Sequence, residues 1–404
     1  MNIDPIRRPS RTTGMRRLPK YVVVRCLVLC LGGPTALLAG CVPPGVAPAG
    51  APPPSEGGDP EVGEPGSGED SGPAAGVASV RGARLFGEEE LVDLLIEDGR
   101  VEAVVPAGAA PAGDQAVEAD GRVVVPAFID SHVHLVYLPE AEAMADGGIA
   151  AAVDLAAPME FFGRDFGDVR VVGSGPMVTA VSGYPTRSWG SRGYGVECGN
   201  AEEAEAAVEM LAEAGAVVVK LPVTGEPVLS EHALRAAADR AHALGLKVAS
   251  HALGSAEALR AAAIGADVLA HTPVQPLSDE AVDAWAGRAV ISTLRAFGGS
   301  EAAIDNLRRL RDAGTVVLYG TDFGNTRTPG IDPNELALMA AAGMDDAAIL
   351  ESATSAPARW WGIDRLGSLS AGSDASFLLI SPDAEGDPAA FGSADAVVLR
   401  GILR

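Results

Sequence analysis

Cysteine, lysine and aromatic residues are scarce in this sequence. Only Cys198 follows Cys41, so most of the chain has no partner for an intramolecular disulfide framework. Aromatic residues make up 4% of the chain, and three lysines contribute to a total of 30 basic residues. Hydrophobic residues make up 48%, which is enough for a sizeable core. Stability must therefore come from packing.

Positive charge is also scarce, because the formal net charge is −24. The first 40 residues contribute +6 (seven basic residues and Asp4), so the remainder carries −24 − 6 = −30. A body this acidic repels phosphate backbones, which argues against a nucleic-acid partner. An adaptation to solubility or salt is favoured over any partner-specific interpretation.

Residues 1–40 are typical of a secretory signal, with basic residues followed by an apolar run from Cys26 to Leu38 that is too short to span a bilayer comfortably. The sequence Leu38-Ala39-Gly40-Cys41 resembles the bacterial lipobox, which implies lipidation at Cys41. We therefore expect an exported protein anchored by lipid to a bacterial membrane, on its periplasmic or cell-surface side. An ordinary signal peptide is the alternative, and either Met1 or Met15 could be the start.

Residues 41–78 are rich in proline, glycine and acidic residues, and predict a disordered tether that holds the folded body roughly 30 Å from the membrane on average. Short strand patterns follow in residues 79–125, where Asp98-Gly99 indicates a hairpin. A similar pattern of short strands returns in residues 370–404, where two strands are predicted at 375–380 and 397–403. The two ends of the mature chain therefore predict one small composite β domain.

Residues 126–369 alternate between short apolar strands and capped helices, which indicates an α/β fold. Eight strands are predicted, beginning with the one that carries His132 and His134 and ending at 316–319. Helix starts are predicted at Asn200, Ser230, Ser255, Ser278 and Ser300, each with a glycine at its end. The pattern favours a TIM-like (β/α)8 barrel.

Polar side chains follow the predicted strands where barrel enzymes place their chemistry. Asp130, His132 and His134 alternate along the first strand, so we expect them to share one side. His-x-His alone is a weak signal, because two satisfied histidines at a strand end would look the same. Four of the six histidines, however, lie at these ends, with one lysine and one aspartate: His132, His134, Lys220, His251, His271 and Asp322.

Lys220 is unusual because it lies inside the apolar strand VVVKLPV. Burial lowers the pKa of an amine, and the neutral form can react with carbon dioxide to give a carbamate that bridges two metals. An ion pair, a lysine that extends to solvent and a Schiff-base nucleophile are the alternatives. The histidines and Asp322 on the sister strands favour the metal interpretation.

The motifs PAFIDSHVHL, VVVKLPVTG, VASHALG, VLAHTPV, YGTDFG and ATSAPARWWGIDRLGSLSAGSDASFLLI together resemble the amidohydrolase superfamily, in particular its imidazolonepropionase-like and prolidase-like members. The resemblance implies a distorted barrel, a composite β-sandwich and hydrolysis of carbon–nitrogen bonds. It also implies that His132, His134 and Asp322 hold one divalent metal, that His251 and His271 hold a second, and that carboxylated Lys220 bridges them. Zinc is expected, with manganese or iron as alternatives.

We expect a small-molecule substrate, such as a dipeptide or an N-acyl amino acid, and a catalytic role for Asp322 in proton transfer. The segment 182–200 is long and aromatic, which favours a lid or pocket wall. Candidate substrate-binding residues are Tyr184, Arg187, Arg295 and Arg327. A mononuclear ring-opening hydrolase with uncarboxylated Lys220, or a non-catalytic solute-binding lipoprotein, are the alternatives. The oligomeric state has no signal in the sequence.

Overall fold

Strands and helices alternate through the middle of the chain in the computed structural model, which describes residues 76–384 and 386–404. The predicted signal, the lipidation site Cys41 and most of the predicted tether lie outside these residues. The strands described are Ser79–Leu85 (β1), Leu91–Glu97 (β2), Arg100–Pro106 (β3), Ala116–Glu118 (β4), Val123–Pro126 (β5), Phe128–Val133 (β6), Ile149–Asp154 (β7), Arg170–Gly173 (β8), Met177–Ala180 (β9), Gly195–Cys198 (β10), Val218–Pro222 (β11), Lys247–His251 (β12), Val268–Leu269 (β13), Ala289–Ile291 (β14), Val316–Leu318 (β15), Phe377–Ile380 (β16), Ala396–Leu399 (β17) and Ile402–Leu403 (β18).

The helices of the described residues are mostly short. They are Ala141–Asp146 (α1), Ala201–Ala214 (α2), Glu231–Ala243 (α3), Ser255–Ala263 (α4), Asp279–Asp283 (α5), Glu301–Asp312 (α6), Pro333–Ala341 (α7), Asp346–Ala353 (α8) and Ser355–Trp361 (α9). In the part of the chain that the structure describes, no helix is both long and apolar enough to cross a membrane.

Side-chain caps start four of the five predicted helices. Asn200, Ser230, Ser278 and Ser300 each accept a hydrogen bond from the backbone N–H three residues later, as N-cap residues do. The predicted cap Ser255 is wrong, because Gly254 is the N-cap of α4 and the Ser255 hydroxyl bonds to the Pro276 carbonyl instead, at 3.1 Å.

Parallel strands form two arcs in the middle of the chain, in the orders β6-β7-β8 and β11-β12-β13-β14-β15. Hydrogen bonds link the arcs on both sides, from Val217 N to Gly173 O at 3.1 Å and from Ser131 N to Tyr319 O at 2.9 Å. The α/β class is therefore confirmed. Closure of the arcs into one eight-stranded barrel stays a prediction.

The ends of the described chain form one mixed sheet, in the order β18-β17-β16-β5-β1-β2-β3 with β4 on β1. The predicted hairpin is present, because Asp98 and Gly99 have positive φ between the antiparallel strands β2 and β3. The single strand predicted at 397–403 is wrong, since a turn at Arg400 and Gly401 divides it into β17 and β18. A separation into two sandwich layers stays a prediction.

Residues 77 and 78, which lie within the predicted tether, contact later parts of the chain. Val77 is buried, and its N–H donates to the Gly401 carbonyl at 2.7 Å. Ala78 N donates to Gln115 O at 2.8 Å. These residues therefore belong to the folded body.

Apolar side chains from both arcs form a buried cluster that also includes residues of α9. Its members on the strands include Ile129, Val153, Val218, Ala249, Val268, Ile291 and Leu318. Side chains alternate along a strand, so Val218 and Lys220 lie on one face while Val219 packs in the larger cluster with the helices. The polar strand-end residues therefore lie next to this buried apolar cluster.

Candidate metal centre

Two histidines and an aspartate converge at the ends of β6 and β15. Asp322 Oδ1 lies 3.0 Å from His134 Nε2 and 3.6 Å from His132 Nε2. All three side chains are buried, and their nearest donor atoms lie within 4.8 Å of one another. Two nitrogens and one carboxylate oxygen thus face a common point.

Glycines on either side of Asp322 leave room for the two histidines to lie close to it. A Cβ on Gly324 would lie 2.7 Å from His134 Cβ, and a Cβ on Gly320 would lie 3.2 Å from His132 Cβ. Asp322 itself has a φ of 54°, a strained value for a residue other than glycine. The local sequence YGTDFG therefore places the carboxylate against the histidines at a conformational cost.

Backbone carbonyls orient the two histidine rings. His132 Nδ1 lies 2.7 Å from Ala270 O, and His134 Nδ1 lies 3.2 Å from both the carbonyl oxygen and the backbone nitrogen of Ala156, so only the His132 contact fixes Nδ1 as a donor. A ring that donates from Nδ1 keeps the Nε2 lone pair for a ligand, which is the usual arrangement of metal-bound histidine. Both Nε2 atoms consequently point toward Asp322.

Asp130 does not join this cluster. Its carboxylate accepts hydrogen bonds from Thr321 Oγ1 at 2.5 Å and from the N–H groups of Thr321 and His132 at 3.1 and 3.0 Å. Burial, which outweighs these bonds, raises the pKa of Asp130 to about 7. Asp130 therefore links β6 to the segment that follows β15, beneath the centre.

Lys220 is 1% exposed, and its amine lies beside the histidines. Nζ donates to the Leu155 carbonyl and lies 3.3 Å from His132 Nε2. Burial, only partly offset by the charges of Asp322 and Asp154, lowers the pKa of Lys220 from 10.5 to about 8. At neutral pH the uncharged form of the Lys220 amine is consequently more populated than that of a surface lysine.

His251 and His271 lie on the other side of the same group. The His271 ring centroid is 4.5 Å from that of His132 and 4.7 Å from that of His251. Burial, reinforced by Lys220, lowers the pKa of His251 to about 3, and burial with the neighbouring histidines lowers that of His271 well below 6.5. Both rings are therefore neutral, as metal ligands must be.

The donor set fits a divalent metal. His251 Nδ1 is buried with no hydrogen-bond partner among the described residues, which a bound ion or an ordered water would satisfy. Burial alone would raise the pKa of Asp322, but the two histidines of the cluster and Lys220 outweigh it and hold that pKa below 3.8. Neutral imidazoles around an ionised carboxylate are ligands that Zn²⁺, Mn²⁺ or Fe²⁺ can take.

Asp154, at the end of β7, was not predicted from the sequence. It is fully buried, Oδ2 accepts from Leu135 N at 2.8 Å, and Oδ1 lies 4.0 Å from His134 Nδ1. Burial raises its pKa to about 6. The only sequence signal was an aspartate that ends an apolar strand.

Among the predicted substrate residues, Tyr184 contacts a histidine of the centre. The Tyr184 ring centroid is 5.1 Å from that of His251. Arg187 is exposed and donates to Ser182 Oγ at 2.6 Å. Arg295 lines a separate surface cavity beside Leu338, and Arg327 is exposed. Substrate binding by these residues stays a prediction.

Trp189 covers the centre together with Tyr184. Its ring centroid lies 5.3 Å from that of His134, and its Nε1 donates to the Tyr184 hydroxyl at 3.0 Å. Two aromatic residues of the segment 182–200 therefore contact the centre, and a lid or pocket wall stays a prediction. A cavity of about 630 Å³ lies instead at the opposite ends of the strands, beside Ala150 and Arg170.

A sequence model of the Amidohydrolase family matches residues 123–403. A dihydroorotase of Mycobacterium tuberculosis is 41% identical over 56 residues, which are 14% of this chain and 13% of that protein. An imidazolonepropionase of Saccharopolyspora erythraea is 48% identical over 44 residues, 11% of either protein. These matches span less than a sixth of the length of either curated relative.

The fold is similar to that of a Xaa-Pro dipeptidase whose structure has methionine bound in the active site. The TM-score is 0.70 at 18% sequence identity, over 81% of this chain and 99% of the dipeptidase. Identity this low supports likeness of fold alone.

Proposed function

Because this chain belongs to the amidohydrolase family, we propose that it is a metal-dependent hydrolase that cleaves a carbon–nitrogen bond of the amide type in a small molecule. The observation that carries the proposal is the convergence of His132, His134 and Asp322 at the strand ends. A dipeptide or an N-acyl amino acid is the proposed substrate, in keeping with the likeness of fold to a dipeptidase.

We propose a binuclear centre within this cluster. His132, His134 and Asp322 would hold one divalent ion, and His251 with His271 would hold a second. Lys220, carboxylated on Nζ, would bridge the two. The short distances between His132, Lys220 and the rings of His251 and His271 support this assignment. Zinc is the proposed metal, because four of the ligands are imidazoles.

In the proposed hydrolysis, Asp322 transfers the proton and the other ligands hold the metal. Divalent ions bound here would supply a water molecule of lowered pKa and polarise the scissile carbonyl. Asp322 Oδ2 accepts the water proton, since Oδ1 faces His134 Nε2 at 3.0 Å. The water oxygen bonds to the carbonyl carbon, the carbon–nitrogen bond breaks, and Asp322 passes the proton to the leaving nitrogen.

A mononuclear ring-opening hydrolase of cyclic amides is the second candidate. The contact between the Lys220 amine and the Leu155 carbonyl favours it, because a lysine held there could act by charge alone. The local similarity to an imidazolonepropionase is consistent with this reaction. The two candidates differ in metal content, at about two or one ions per chain.

Metal content and substrate range test the proposal together. Protein loaded with zinc or manganese is analysed for bound metal and assayed on dipeptides, N-acyl amino acids and cyclic amides. We expect about two ions per chain, fewer in His271→Asn, and no change in the control His242→Asn, whose histidine is exposed and bonded to Asp267. Hydrolysis of none of these compounds by loaded protein would contradict the proposal.

The finer features of the architecture are also proposals. We propose that the two strand arcs close into one distorted barrel and that the mixed sheet divides into sandwich layers, as separate parts at 126–369 and at 79–125 with 370–404. The hydrogen bonds at both junctions of the arcs support closure. An experimental structure would test both features.

We further propose export and lipid anchoring at Cys41, based on residues 38–41. Incorporation of radiolabelled palmitate into the wild-type chain, but not into Cys41→Ala, is the expected result in a bacterial host. Equal labelling of both would contradict it.

A further inference from the structure

A cavity of about 630 Å³ lies at the ends of the strands opposite the metal centre. It is bordered by the starts of β7 and β8, by the segment 364–366 after α9, and by Ser376 and Arg400 beside the mixed sheet. Asp154, at the other end of β7, is the residue of this strand that lies beside His134. None of the proposed metal ligands lines the cavity, so it is separate from the metal centre.

Two ion pairs hold the lining of this cavity in place. Arg365 Nε lies 3.3 Å from Asp374 Oδ1, and the Arg365 carbonyl accepts from Asp374 N at 2.8 Å. Arg400 pairs with Asp168. Both arginines have positive φ, at 67° and 51°, a strained conformation that recurs at ligand-binding sites. The lining is therefore built from fixed segments of three separate parts of the chain.

Arg170 and Asp364 are the two charged residues of the lining that have no ion-pair partner among residues 76–384 and 386–404. Arg170 Nη1 donates to the backbone carbonyl of Asp364 at 3.1 Å, and the Asp364 carboxylate accepts no hydrogen bond from the described residues. This bond to the main chain keeps the two opposite charges close together without pairing them. Each charge therefore remains available to a group of opposite sign in the cavity.

A small zwitterion matches this pair of charges better than a simple ion does. A guanidinium group binds a carboxylate through two parallel hydrogen bonds, and a carboxylate binds an ammonium group. The chain has a formal net charge of −24 and repels simple anions, whereas a molecule with one charge of each sign has no net charge to be repelled. Ala150 and Leu366 add apolar surface to the same lining.

We propose that this cavity binds a free α-amino acid with an apolar side chain. The carboxylate of the amino acid pairs with Arg170, its ammonium group pairs with Asp364, and its side chain packs against Leu366. The site lies apart from the metal centre, so binding depends neither on bound metal nor on the hydrolase function proposed above.

Calorimetric titration of L-leucine into the metal-loaded protein tests this proposal. We expect about tenfold weaker binding to Arg170→Gln and to Asp364→Asn, because each variant removes one charge-assisted hydrogen bond. Both side chains are exposed, so the variants should fold normally by circular dichroism. The matched control is Arg235→Gln, whose exposed arginine pairs with Glu231 on α3 and whose affinity for L-leucine should equal that of the wild type.

Two further comparisons identify the site and the chemistry of its ligand. Metal-free protein and His271→Asn should bind L-leucine as the wild type does, whereas loss of binding in both would place it at the metal centre and overturn the proposal. Acetate and butylamine, which each carry one of the two charges, should bind to the wild type at least tenfold more weakly than L-leucine.

Three other results would overturn the proposal. They are no binding of L-leucine to the wild type, equal affinity in the wild type, Arg170→Gln and Asp364→Asn, and binding of acetate or butylamine as tight as that of L-leucine. None of these measurements requires turnover, so failure of the proposed hydrolase function would be recognised separately, in the assays of hydrolysis.

Discussion

Lys220 should react with carbon dioxide in preference to an exposed lysine of the chain. Its pKa is lowered from 10.5 to about 8 by burial. At pH 7 this raises the neutral fraction of the amine about 300-fold, from about 0.03% to about 10%. Because only the neutral amine attacks carbon dioxide, the same factor applies to carbamate formation at Lys220 relative to an exposed lysine.

The assay is carbon-13 NMR of metal-free protein equilibrated with ¹³C-bicarbonate. We expect a lysine carbamate resonance, distinct from that of the α-amine, that is absent from Lys220→Met and retained in Lys247→Met. Lys247 is a matched control, because its amine lies 4.8 Å from the Trp360 ring and away from the metal centre. The signal should rise with pH to half of its maximum near pH 8.

Two results would refute this reasoning. A resonance of equal intensity in wild type and Lys220→Met would assign the carbamate to another amine. A half-maximum at or above pH 10 would show that the Lys220 amine titrates like an exposed one. Either result would also favour the mononuclear candidate.

Three further predictions concern the same region. Lys220→Ala should lower turnover by at least about 100-fold, and millimolar acetate or propionate should partly restore it, as measured by steady-state kinetics with and without the acid. Asp322→Asn should fold normally by circular dichroism and lose about 10²- to 10⁴-fold in kcat, whereas near-normal turnover would exclude proton transfer by Asp322. Burial raises the pKa of Glu335 from 4.5 to about 7, despite hydrogen bonds from Leu294 N and Arg295 N. Because this pKa is raised, the free energy of unfolding of the wild type, relative to that of Glu335→Gln, should be greatest below pH 4.5 and should fall as the pH rises to about 7. Urea unfolding at several pH values measures this difference. A difference that does not change with pH would contradict the prediction.

The sequence predicted the secondary structure well where local chemistry decides it. Asn200 and Ser230 cap helices because their side-chain oxygens replace a missing backbone acceptor, and Asp98-Gly99 makes a hairpin because both residues tolerate positive φ. It failed at Arg400, where a turn occurs without the usual asparagine or aspartate. There, pairing with the neighbouring strands overrides local preference.

The convergence of the candidate site was also predictable, because parallel strands bring their carboxyl ends to one edge. The family resemblance drawn from the motifs is confirmed. Asp154 was missed because one aspartate among 54 acidic residues is no signal without its neighbours. The contact of Trp189 with Tyr184 depends on a turn around Gly183 whose tightness comes from distant atoms such as Pro227 O.

The mixed sheet joins residues from opposite ends of the described chain, and this affects how the protein is made. Strand β5 pairs with β1 on one side and with β16 on the other, although more than 250 residues separate β5 from β16. During synthesis β5 therefore has one unpaired edge until β16 emerges from the ribosome. A ribosome stalled before residue 377 would leave that edge open to chaperones or to a second nascent chain.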